Sequence, residues 1–83
     1  MLSNIKYVMV LKLSEAVLNK TYKVVSVLGD DNISTRLKEL GFIKDTQVIL
    51  THSSILGGTK IANIRGYYLC LKKSALLKVL VRE

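Results

Sequence analysis

The side chains able to do chemistry are few, and their types do not assemble into a reaction centre. The chain has one histidine (His52), one cysteine (Cys70) and six carboxylates: Glu15, Asp30, Asp31, Glu39, Asp45 and Glu83. Group transfer needs a nucleophile, a base within hydrogen-bond reach and a third group that orients the base. This inventory supplies no such set. Asp30-Asp31 is an adjacent acid pair, but it precedes an apolar-periodic run, the position of a helix cap. One cysteine excludes an internal disulfide and a four-cysteine zinc site. Cys70 is expected as a buried or half-buried small hydrophobe. Strand alternation would put His52 on one face with Val48 and Leu50, as a capped or half-exposed structural residue. Gly57-Gly58 neither leads from a strand into a helix nor has P-loop spacing, so no nucleotide cradle is indicated. The expectation is a binding module rather than an enzyme, with no cofactor and no metal site.

Charge says what kind of partner suits such a module. Thirteen Lys and Arg against six acids give a formal charge of +7, which favours nucleic acid, acidic protein surfaces or anionic lipid heads. The charges are scattered, and the longest basic run is Lys72-Lys73. Arg65-Gly66-Tyr67-Tyr68-Leu69-Cys70-Leu71 is weakly similar to an RNP1 strand. Tyr68 stands where Gly or Ala belongs, and Leu69 where an aromatic belongs. Tyr7, Tyr22, Tyr67, Tyr68 and Phe42 are all the aromatics, and two or three of them are expected to be structural. That supplies a base-stacking platform poorly, so nucleic acid ranks below protein as a partner.

The elements that would position these residues are short. Ser14 reads as an N-cap with a single helical turn over Glu15–Leu18, broken at Asn19-Lys20. Thr21–Leu28, rich in β-branched residues, reads as a strand ended by Gly29. Asp30 or Asp31 then caps a helix over Asn32–Leu40, in which Ile33, Leu37 and Leu40 share a face. Gly41 is placed for a left-handed helix ending, with Phe42 packing back on Leu37. Lys44-Asp45 is a polar turn before a strand over Val48–Thr51. Gly57-Gly58 turns the chain into a strand over Lys60–Arg65, and Arg65-Gly66 turns it again into Tyr67–Leu71. In that strand Tyr67, Leu69 and Leu71 share a face. One helical turn over Lys73–Leu76 precedes a last strand, in which Leu77, Val79 and Val81 alternate with Lys78, Leu80 and Arg82.

Eighty-three residues make one domain, which buries only about 60% of the surface of its unfolded chain. Five short strands with one apolar face curl into a small barrel, which removes most exposed edges. The helix would plug or flank one open end. Residues 1–12 read as an arm or edge strand and 13–83 as the barrel. The apolar character of the arm suggests pairing, for example with a second copy. Its longest apolar run, Tyr7–Leu11, is too short for a secretory signal and far short of the ~20 residues that cross a bilayer. The expected location is the cytoplasm.

At this point the motifs resemble those of the FeoA family, small cytosolic bacterial partners of ferrous iron transport. Arg36-Leu37-Lys38-Glu39-Leu40-Gly41-Phe42 is similar to that family's Arg-Leu-x-Glu-Leu-Gly-Leu/Phe helix ending. Leu56-Gly57-Gly58, Ile64-Arg65-Gly66-Tyr67, Leu71-Lys72 with Ala75, and Val79-Leu80-Val81 follow in the family's order and spacing. Leu13-Ser14 matches a usual start. The resemblance covers about residues 13–82. The chain departs from it at Lys44-Asp45, where the family usually has Pro-Gly, and near Ile55 and Thr59, where prolines are common.

The resemblance implies a mainly β, SH3-like barrel of about five strands with one inserted helix and short helical turns. It also implies transition-metal association at the family level and action beside FeoB, a membrane transporter with a cytosolic GTPase domain. Contact with the membrane would come only through that partner. A chain that begins at Met1 without a helix-turn-helix favours the transport form over the related domain of metal-dependent repressors. The candidate partner-binding residues are Leu56, Gly57, Gly58 and Lys60 at the turn, with Arg36 and Lys38 on the helix. The alternatives are a basic nucleic-acid-binding barrel and a stand-alone relative of the repressor domain.

Overall fold

The computed structural model describes residues 9–83. In chain order they form β1 (Val10–Lys12), a 3-10 turn (Leu13–Glu15), β2 (Thr21–Val27), α1 (Asn32–Glu39), β3 (Gln47–Ser53), β4 (Thr59–Ile64), β5 (Tyr67–Lys72), α2 (Lys73–Leu76) and β6 (Val79–Arg82). All pairings are antiparallel, in the order β1–β6–β2–β3–β4–β5. This is the mainly β architecture that the residues call for, with a sixth short strand. Of residues 1–12, read as an arm or edge strand, Val10–Lys12 forms β1 beside β6, and residues 1–8 lie outside the described residues.

Alternation builds the core. Val48 and Leu50 of β3, Ala62 and Ile64 of β4, Leu71 of β5, and Val79 and Val81 of β6 point to one side and are buried. Leu13, Tyr22, Leu37, Phe42 and Leu76 close the same cluster. Two bulges adjust the pattern. In β2 the register shifts between Val24 and Ser26. The extra residue resets the alternation and lets Val24 and Val27 both face inward. The second bulge, in β3 between Leu50 and His52, matters for His52 below.

The first turn differs from its sequence reading. Ser14 lies inside the 3-10 turn and is not its cap. Glu15 does the work instead: its Oε1 accepts from the Lys12 backbone N–H at 3.2 Å. A helix as short as one turn has few free amides to satisfy, and a carboxylate reaching back satisfies one directly. Asn19 takes a positive φ of 65° and ends this segment.

α1 is specified at both ends. Asp31 caps it, Oδ1 accepting from the Ser34 N–H at 2.9 Å. At the other end Gly41 has φ 112°. The Gly41 N–H donates to Lys38 O and the Phe42 N–H to Leu37 O, both at 3.1 Å. These two bonds make a Schellman ending, and Phe42 is buried behind it. The sequence has Asp45 where the resembled pattern has glycine. Asp45 adopts φ 71°, a conformation that Asp tolerates better than most side chains.

Candidate functional site

The turn between β3 and β4 is closed by backbone groups and one serine hydroxyl. The Gly57 N–H donates to Ser54 O at 2.9 Å and the Ser54 N–H to Thr59 O at 2.8 Å. The Thr59 N–H also donates to Ser54 Oγ at 3.2 Å. Gly57 takes φ 72°, which glycine adopts without cost. At the tip Ile55 is fully exposed and Leu56 is 95% exposed. Leu56 is therefore not a core residue. Gly58 is fixed on one side, because its carbonyl accepts from the Lys73 N–H at 2.8 Å, at the start of α2.

The other candidate contacts are distributed. Lys60 is half-buried, and its ammonium donates to Ser14 O at 2.8 Å. It ties β4 to the 3-10 turn as well as facing solvent. Arg36 and Lys38 stand exposed on α1. Arg36 borders an open cavity floored by Ile33, Leu37, Leu40, Leu71 and Ala75. Leu56, Gly57 and Gly58 are not among its walls. The turn thus does not share the cavity that Arg36 borders.

His52 and Cys70 differ from expectation. The register runs Leu50↔Ala62 and then His52↔Ile61, so Thr51 is an extra residue. The bulge puts His52 on the outer face, opposite to Leu50, where it is exposed with Nδ1 3.0 Å from Thr51 Oγ1. Cys70 is exposed, not buried. Its neighbour Leu71 takes the inward position, and period-two alternation then forces Cys70 outward. His52 and Cys70 both pair across to Ile61 and so flank that residue instead of meeting. Asp45 is engaged elsewhere, 3.4 Å from Arg82 Nη2. Among the described residues no group of three or more His, Cys, Asp or Glu side chains stands close enough to hold a metal ion.

Electrostatics reinforces the start of α1. The Asp31 carboxyl is lowered from 3.8 to about 2. The Lys78 ammonium, 2.9 Å from Oδ2, is the main cause, and the Ser34 N–H adds to it. Lys20 is raised by its hydrogen bond to Glu83 at 2.8 Å.

Ser34 is the residue that sequence reasoning missed. It is fully buried and its hydroxyl donates to Leu28 O, locking the start of α1 to the end of β2. Its position three residues after Asp31 was legible as a capping site for its amide, but nothing local announced the burial of its hydroxyl.

Known structures define the class. The fold is that of an SH3-like β protein: a solved FeoA from Stenotrophomonas maltophilia, complexed with zinc and described as a prokaryotic SH3-domain protein, superposes with a TM-score of 0.77. It is 32% identical, over 86% of this chain and 88% of that one. The FeoA domain family model matches residues 11–83, and the chain belongs to that family. A FeoA-like protein from Clostridium acetobutylicum has a TM-score of 0.79 at 22% identity, over 87% and 84% of the two chains. A manganese-dependent transcriptional repressor shares the fold at 14% identity, with a TM-score of 0.82 over 96% of this chain and 45% of that one. No curated protein sequence matches. No helix among the described residues is long and apolar enough to cross a membrane.

Proposed function

We propose that this protein is a small accessory module of ferrous iron uptake that docks on the cytosolic GTPase domain of FeoB. Membership of the FeoA domain family over residues 11–83 carries the reading. The zinc-complexed relative, described as a candidate activating factor of ferrous iron transport, supports it. Docking acts by binding one conformation of the transporter better than another, and the coupling equals that difference in affinity. The contact surface is the apolar tip at Leu56 with Gly57 and Gly58, flanked by the Lys60 stem, with Arg36 and Lys38 of α1 as a second, basic contact. Apolar side chains that the fold leaves in water are available to a partner at no cost to the core. The module itself acts without a catalytic step.

The test is a titration of the full chain against the GTPase domain of its cognate transporter, with and without GTP, at physiological salt. Saturable one-to-one binding is expected. Absence of binding in every nucleotide state removes direct docking. The formal charge of +7 sustains the nucleic-acid reading as the rival, and binding to DNA or RNA that falls steeply with salt would bring it forward.

A further inference from the structure

We infer that the channel between α1 and the free edge of β5 is a peptide-binding groove, which takes an extended segment combining apolar and acidic side chains as an added strand on β5. The hairpin sets the backbone. Arg65 and Gly66 both have positive φ, 52° and 82°, and Ile64 faces Tyr67 across them. In such a two-residue turn the flanking pair exchanges hydrogen bonds. Alternation then keeps Leu69 and Leu71 bonded to β4, and the Lys73 N–H to Gly58 O bond continues that register. The N–H and C=O groups of Tyr68 and Cys70 and the N–H of Lys72 therefore face away from the sheet, while the Lys72 carbonyl is taken up at the N-cap of α2. β5 pairs with β4 only, and among the described residues these outward groups have no backbone partner. An unpaired edge of this kind is a template for strand addition.

Beside this edge runs an apolar floor. Toward the start of β5 a cavity is bounded by Glu39, Leu40, Tyr67 and Leu69. Toward its end a larger one, of about 510 Å³, is bounded by Ile33, Arg36, Leu37, Leu40, Leu71 and Lys72, among others. Leu40 borders both, so the two cavities adjoin along the strand. Ile33, on the same stripe of α1 as Leu37 and Leu40, is 38% exposed and lines the wider cavity. Strand addition supplies the backbone bonds, and alternate side chains of the incoming strand would enter this floor.

Charge selects the occupant. Arg36 and Lys72 border the wider end, with Lys73 next in sequence. None of the three takes part in an ion pair among the described residues. The acid of the channel, Glu39, stands at the opposite end. An acidic side chain on the incoming strand is thus placed at the α2 end, which gives the groove a polarity. A second copy of this chain suits it poorly, because each copy carries +7 and its free apolar tip, Ser53–Lys60, contains no acid. The edge of β1 is a lesser site, with only three residues.

The inference stands apart from the transporter reading. A chain that binds peptide but not the GTPase domain keeps the groove and loses the transporter, and the reverse result does the opposite. The experiment titrates the isotope-labelled full chain with a capped octapeptide alternating valine and glutamate, and with its valine–lysine counterpart, while following amide hydrogen exchange. Expected are saturable binding of the acidic peptide, slowed exchange at Tyr68, Cys70 and Lys72, and binding of the basic peptide weaker by about tenfold or more. Combining Arg36→Glu with Lys72→Glu, both exposed, should reverse that preference in a chain that remains folded. Equal binding of the two peptides, binding of neither, or protection at β1 in place of β5 overturns the inference. So does protection of β5 in the free chain that rises with protein concentration, which would make a second copy the occupant.

Discussion

The segment from Leu28 to Phe42 and the turn from Ser54 to Thr59 both join strands of one sheet, yet they spend their residues differently. In the first, side chains fix both ends of the helix. Asp31 caps the helix and meets Lys78, Ser34 holds Leu28 O, and Phe42 seals the ending under Gly41. In the second, closure comes from backbone groups and one serine hydroxyl, while two large apolar side chains stand in water. Apolar surface drives folding only when it leaves water. The helical segment therefore belongs to the stability of the fold, and the tip at Ile55-Leu56 is free for something else.

The contrast breaks most sharply at Phe42. It is the largest of the fully buried side chains, so Phe42→Ala should remove about 3–5 kcal/mol through lost burial and a residual cavity. In so small a domain that is most of the expected stability. Chemical denaturation of the variant measures the loss, and a cost below about 1 kcal/mol would place Phe42 outside the core that closes the helix. Gly41→Ala comes next. The backbone there has φ 112°, and an added Cβ would lie 2.7 Å from Arg65 Cδ. The arginine chain is flexible enough to move aside, so the backbone carries most of the penalty, about 1–2 kcal/mol. A midpoint of unfolding equal to that of the parent chain would show that the Schellman ending is not strained by a side chain.

These two residues were also the most legible in the sequence. The helix period, the acid ahead of it and the glycine after it are local signals, and local physics decides helix ends. The meander was equally plain, because Gly57-Gly58 and Arg65-Gly66 state where the chain must turn. His52 was misplaced for the opposite reason. A bulge is a decision between two strands, and the residues around Thr51 give no sign of the extra one. Cys70 was misjudged by weighing its type over its position: alternation with Leu71 already placed it outside. Ser14 and Glu15 show how a cap can come from either end of a short turn. The groove along β5 was not legible at all, because it depends on where α1 lies relative to a strand edge formed later in the chain.

Acid should weaken the helical segment before it touches the turn. Asp31 is held at about 2 in the folded chain against an ordinary 3.8. A depressed carboxyl favours the folded state fully above its unfolded value, and the contribution disappears as pH falls through the window from about 4 to about 2. Asp31→Asn keeps a side-chain oxygen for the Ser34 amide but removes the charge that Lys78 meets. Denaturation midpoints of the two chains should differ at neutral pH and converge as that window is crossed, by less than the effect of Gly41→Ala because the pair is exposed. A difference that persists unchanged at pH 2 would mean that packing, not ionisation, separates them.

The smallest effect on folding should come from the residue with the largest proposed effect on docking. Leu56→Asp replaces a side chain that is already in water, at a turn whose hydrogen bonds are all made by other groups. Its stability should stay within about 0.5 kcal/mol of the parent. An apolar anchor at the centre of an interface contributes far more than that to association, so affinity for the GTPase domain should fall by about tenfold or more. The two measurements together keep the comparison sharp. Loss of binding in a chain with unchanged stability assigns the tip to the partner. Unchanged binding removes the tip from the interface and leaves the basic face of α1 as its remaining contact. Loss of both would contradict the exposure of Leu56 itself, because a side chain that the fold does not touch cannot unfold it.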